Sequence, residues 1–327
     1  MPRHGRITKA REVNHRTCTR VARLYWSVGL CDRQRIRRMS NVVGAEDDAK
    51  MQESGHGHSH DHAEGEVAKI VALGAVTVGG ATFTIDREGQ VEAGRTTEFG
   101  VEHIGGTPGV KPSSAWLENP DGTMPADPVK SEAHDSHWHF NVEPLDPVKK
   151  CKFVLQVGDE KAYVDFARGA QPSQDGILSV FKSPSDPDWR GFLELKLHGD
   201  AGDLELFLYT TAGEQAWGRS STGKTTPFDI PKESVVKLSF PSHGGKTIEL
   251  RVRNDDKNED EDGNPNMREG GVTNYFIFPG ESGQDPAWLI GETVTSWRGL
   301  VSVAFEVAGK PFLADPFVLV PHDALHG

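Results

Sequence analysis

Apolar residues come in short runs along the chain, broken by Gly, Pro and Asp, and no segment sustains a helical period. The clearest pattern is a hairpin. Leu193, Leu195 and Leu197 alternate with polar residues, the loop His198–Asp203 follows, and Leu204, Leu206 and Leu208 alternate again. A period of two puts each leucine set on one buried face of a strand. Upstream, Ile70–Val78, Ala81–Asp86, Thr97–His103, Ser114–Leu117, Ser136–Val142, Lys152–Val157 and Ala162–Phe166 read as strands. Downstream, Val235–Phe240, Thr247–Val252, Asn274–Phe278, Val301–Val307 and Phe312–Val320 do the same. Gln171-Pro172-Ser173-Gln174-Asp175-Gly176 reads as a linker between the two series. Short strands at near-regular spacing predict sandwiches. The expectation is an all-β chain of two tandem antiparallel β-sandwich (Ig-like) domains, residues 67–170 and 171–327, behind a disordered head, residues 1–66.

Composition changes the picture mainly at the head. The chain has 327 residues and a net charge of −12, but residues 1–38 carry eleven Lys/Arg against two acids, leaving −21 for the remainder. An acidic body argues against nucleic acid and anionic membrane as partners and suits cations. The Arg-rich text stops abruptly at Met39. A nucleic-acid-binding arm, a targeting peptide, or translated sequence ahead of a start at Met39 would each account for it, and a misplaced start or disordered tail is the preferred reading. There is no apolar core of a secretory signal and no run long enough to span a membrane, so a cytoplasmic location is the default expectation. Of three cysteines, Cys18 and Cys31 fall in the head and only Cys151 in the body, so no disulfide framework is available.

The most specific chemistry lies in the acidic loop, residues 255–269. Counting from Asn258, oxygen-bearing side chains stand at positions 1 (Asn258), 3 (Asp260), 5 (Asp262), 7 (Asn264), 9 (Asn266) and 12 (Glu269), with Gly263 at the turn. Hard cations take six to eight oxygens from such a spacing, so the loop is expected to hold calcium. It lies between strands rather than helices, which excludes an EF-hand, and Asn at position 1 implies modest affinity. Asp255, Asp256, Glu259, Asp260, Glu261 and Asp262 crowd six carboxylates together, a repulsion that Lys257 and Arg268 relieve only in part. The alternative is a solvated acidic hairpin tip.

Histidines supply a second candidate. His56, His58, His60 and His62 alternate in a polar strip at residues 55–62 that suits Zn, Ni or Cu. In Ser136–Val142 a period of two turns Trp138, Phe140 and Val142 inward and His137, His139 and Asn141 out to solvent, with His134 in reach from the preceding loop. A His-rich lead-in before a small sandwich with an HxH strand resembles bacterial copper- and zinc-handling modules over residues 55–168, which implies a soft-metal role for these side chains. Gly218–Thr225 matches the P-loop expression, but Pro227 and Pro231 leave no room for the helix that would cradle phosphate, so the match is coincidental. Trp189, Trp217 and Trp288 lie in loop-like text, where Trp217 and Trp288 would contact a polysaccharide or protein surface if the chain were a binding module. No GxSxG, HExxH or CxxC pattern is present. The sequence thus points to a non-enzymatic metal-binding protein, with a carbohydrate- or surface-binding module as the alternative.

Overall fold

Twenty strands follow one another among the described residues: β1 (Ile70–Val78), β2 (Ala81–Glu88), β3 (Thr97–Gly106), β4 (Ser114–Glu118), β5 (Val129–Lys130), β6 (Glu132–His134), β7 (His137–Val142), β8 (Lys152–Val157), β9 (Glu160–Asp165), β10 (Ile177–Ser183), β11 (Asp186–Leu197), β12 (Leu204–Thr211), β13 (Thr226–Pro227), β14 (Ile230–Pro231), β15 (Val236–Phe240), β16 (Lys246–Leu250), β17 (Val272–Thr273), β18 (Tyr275–Phe278), β19 (Gly299–Val307) and β20 (Lys310–Leu319). The structure is a computed structural model that describes residues 68–325, apart from 135–136, 147, 149, 167–168, 201, 212–224, 280–286 and 290–296. The head and the strip holding His56, His58, His60 and His62 lie outside the described residues. The all-β expectation is borne out, at 56% strand and 4% helix, and the sheets are open rather than closed. Among the described residues no helix is long and apolar enough to cross a membrane.

Two of the three buried clusters divide most of the strands, and the third, with Leu178, Phe207 and Tyr275, lies behind the hairpin. The first joins Phe83 and Ile85 of β2, Phe99 and Val101 of β3 and Phe140 of β7 to Leu117 of β4 and Phe153 of β8. Phe99 stacks on Phe153 across it with centroids 4.4 Å apart. The second sets the six hairpin leucines against Leu238, Phe240, Val301, Val303 and Leu319 of β15, β19 and β20. A single hydrogen-bonded path nevertheless runs through both halves, in the order β16-β15-β19-β20-β10-β1-β2-β3-β7-β6, while β5-β4-β8-β9 form a separate sheet. β10 is the junction. One edge pairs with β11 along its length, and the other is shared between β1, in parallel at Val71↔Leu178, and β20 at Phe181↔Ala314. Ile177, Leu178 and Ser179 are all buried, so the start of β10 shows no alternation, and the strand is absent from the expected ones.

β1 passes from one core to the other. Ala72 lies in the second core and Val78 in the first, and a bulge between Ala72 and Gly74 re-aims the strand midway. Gly74 has φ +112°, a backbone angle side chains rarely adopt.

Two buried charges fix the segment between the halves. The Arg87 guanidinium, 0% exposed, donates to the carbonyls of Phe166 (2.8 Å), Ala170 (2.7 Å) and Gly89. Burial pushes its pKa down to about 10, which leaves it charged at neutral pH. The Glu194 carboxylate accepts from the amides of Ser173 (2.8 Å), Gln174 (2.6 Å) and Gly176 (3.1 Å). Gly176 is required by this approach, because a Cβ there would stand 2.8 Å from the Leu195 carbonyl oxygen. The expected linker is therefore pinned rather than free. Removing one partner of such a network strands the other in a dry environment. Arg87→Met and Glu194→Ala should each lower stability by about 3 kcal/mol in urea unfolding, far more than an exposed substitution.

Candidate metal centre

The leucine hairpin is buried on both faces, not one. Behind the leucines, Glu194, Lys196, Glu205, Phe207 and Tyr209 are buried as well. Part of this second face is closed by the acidic loop, which returns over β12 and β18. Asn258 anchors it. Its side chain is 0% exposed; Oδ1 accepts from the Arg253 amide (2.8 Å), and Nδ2 donates to Thr273 Oγ1 (3.0 Å) and the Tyr275 carbonyl (2.8 Å). Asn258 also sits at φ +47°, a conformation Asn tolerates better than most residues.

This docking delivers Glu261 to His198, at the end of β11, and to Glu205 on β12. His198 Nε2 lies 3.3 Å from Glu205 Oε2 and 3.4 Å from Glu261 Oε2. One ligand atom from each of the three residues falls within 4.8 Å of the others, an arrangement found nowhere else among the described residues. Glu205 Oε1 accepts from the Tyr275 hydroxyl and stands 3.9 Å from the Arg253 guanidinium. Lys196 holds Glu261 Oε1, and the His322 ring lies 5.8 Å from that of His198. The hydrogen bond with Glu205, and then the charge of Glu261, hold the His198 pKa above its ordinary value against burial. Burial pulls the Glu205 pKa upward, but the hydrogen bonds from His198 and Tyr275 prevail and leave it low. The cluster opens into a cleft of about 460 Å³, lined also by Asp200, Asp203, Ile277 and Phe278. One imidazole and two carboxylates form a borderline-metal donor set with room for a further ligand.

Asn258, the first position of the expected calcium wrap, turns its amide inward, where the protein engages both its oxygen and its nitrogen. Asp260 shapes the tip: Oδ1 accepts from the Asn264 amide (2.8 Å) and Oδ2 from the side chains of Asn264 (3.3 Å) and Asn266 (3.3 Å). Gly263, at φ +80°, closes the turn. Asp262, Asn264 and Glu269 are exposed. The crowded carboxylates have lysine counter-ions: Lys196 for Glu261, Lys232 for Asp255 (3.1 Å) and Lys257 for Glu259 (3.2 Å). The spacing that reads as a cation loop thus also encodes a hairpin tip.

The inward set Trp138, Phe140 and Val142 is as expected, but His137 and His139 do not face open solvent. Strand register places Asp86, Gly100 and His139 in one row across β2, β3 and β7, with Glu102–His137 and Glu98–Asn141 on either side. The Asp86 carboxylate leans over Gly100, where a Cβ would meet Oδ1 at 2.5 Å. His139 Nδ1 is 2.5 Å from Glu98 Oε1, and Arg298 reaches Glu102 (3.1 Å) from the other half of the chain. With Val318 and Val320 these residues line a pocket of about 80 Å³. The Glu98 hydrogen bond raises the His139 pKa, and burial pushes Asp86 up to about 6. His134 pairs with His137 through its backbone, and its side chain is outside the described residues.

Of the tryptophans, Trp189 belongs to β11 and packs on Phe181, Phe228 and Phe312. Trp288 meets Phe240 edge to face (5.7 Å), with the Lys246 ammonium over its ring (4.3 Å). Trp217 and the P-loop match, except Thr225, lie outside the described residues. Sequence reasoning named Glu261 only as one of six crowded carboxylates and did not connect it with His198 in the hairpin loop or with Glu205, a polar position between the leucines. Comparison with protein-family models, curated proteins and solved structures finds no match.

Two outcomes follow. Asn258→Asp would add an oxygen to a calcium loop but here removes two buried donors, so it should lower stability by about 2 kcal/mol with or without calcium in thermal unfolding. Asp86 binds its proton more tightly folded than unfolded, so its contribution is complete below its ordinary pKa of 3.8 and is lost as pH rises to about 6. Asp86→Asn should gain about 2 kcal/mol over the natural chain at pH ~7.5 and nothing at pH ~3.5, measured by denaturant unfolding across pH.

Proposed function

We propose that the chain is a non-enzymatic metal-binding β-protein whose ion, of the zinc class, is held by His198, Glu205 and Glu261. The convergence of these three side chains, brought from the hairpin and the acidic loop, carries the reading. Mixed nitrogen and oxygen donors favour zinc over calcium, which prefers oxygen alone. An ion here would tie the loop to the hairpin, because the ligands come from both. The scaffold we read as two sandwich-like halves, supported by the two separate cores. The test uses the full chain carrying His56→Ala, His58→Ala, His60→Ala and His62→Ala, which silences the His-rich strip. Zinc at a hundredfold excess over Kd should raise Tm by about 5 °C or more, because a ligand of the native state alone stabilises it. His198→Ala or Glu261→Gln should remove the rise. A zinc response that survives both substitutions, or its absence in the parent, would overturn the assignment.

A further inference from the structure

Lys196 stands beside the proposed ion position. It lies on β11 directly opposite Glu205 in the hairpin register, and its side chain is only 9% exposed. Glu261 divides its oxygens between two partners. Oε1 is held by the Lys196 ammonium and Oε2 faces His198 at 3.4 Å. With Arg253 3.9 Å from Glu205, the two carboxylates already have cationic neighbours from the protein itself.

We infer that Lys196 is a resident cation that competes with the metal for Glu261, and so sets how tightly and how reversibly the site binds. The inference rests on the metal reading of His198, Glu205 and Glu261. Its physical basis is charge. A divalent ion placed between the three ligands would sit next to a buried ammonium, and in a half-buried site that repulsion is only partly screened. An ion bound through Glu261 Oε2 therefore sits against the ammonium held at Oε1, which weakens its hold and favours its release. The acidic loop stays docked in either state, since Asn258 holds it independently. Such a site exchanges its ion instead of keeping it permanently.

A purely structural ion pair predicts something different. Removing Lys196 would then loosen the loop and weaken or leave unchanged any metal binding. A resident competitor predicts tighter binding, and Glu261, whose side chain is 44% exposed, can be solvated when the lysine is gone. The experiment is a zinc titration against a competing chelator, on the full chain with the four strip histidines changed to Ala, beside Lys196→Met, Lys196→Gln and Lys196→Arg versions. Lys196→Met and Lys196→Gln should each bind zinc about tenfold more tightly, and Lys196→Arg should match the parent, because it keeps the charge. Adding His198→Ala to Lys196→Met should abolish the gain. Equal or weaker binding by both neutral variants overturns the inference while leaving the metal reading in place. Zinc binding by none of the proteins removes both.

Discussion

The segment from Phe166 to Gly176 joins two sets of strands, and a guanidinium holds one end of it while a carboxylate holds the other. Arg87 takes the carbonyls of Phe166 and Ala170, and Glu194 takes the amides of Ser173, Gln174 and Gly176. Neither charge can be solvated by water, so each is stable only while the segment keeps its path. That path leads directly into β10, which pairs with β1 on one side and β11 on the other. Through β10 the constraint reaches both cores.

The same economy explains the acidic loop. Glu194, Lys196 and Glu205 alternate with the leucines of the hairpin and would be exposed if one face met water. The connecting segment covers Glu194, and the acidic loop covers Lys196 and Glu205, so polar side chains on a strand become buried partners. Buried charges need counter-charges, and the loop supplies Glu261 to Lys196 and His198. Its run of acids is thus a cover over the hairpin, held by Asn258 from beneath.

Much of the fold was legible. β1 and β8 match the expected strands residue for residue, and the leucine alternation gave β11 and β12 their buried face. Alternation also sorted Trp138, Phe140 and Val142 from His137 and His139. Legibility failed at the start of β10, where consecutive residues are buried and period two vanishes, and in the first half of β11, where Asp186, Asp188 and Arg190 offer no apolar pattern. In the acidic loop the limit was of another kind. Spacing places oxygens along the chain, but it does not say which turn inward: Asn258 does, and Asp260 is spent on the tip.

The sequence alone determined the class of structure, the leucine face and the stretch where acidic charge concentrates, because these follow from periods and composition within one segment. Tertiary structure decided the partners: Glu261 with His198 and Glu205, Glu98 with His139, Asp86 over Gly100. Each pair joins positions on different strands or loops. Such proximity depends on register and on how faces are covered, and these are fixed only when the whole chain packs.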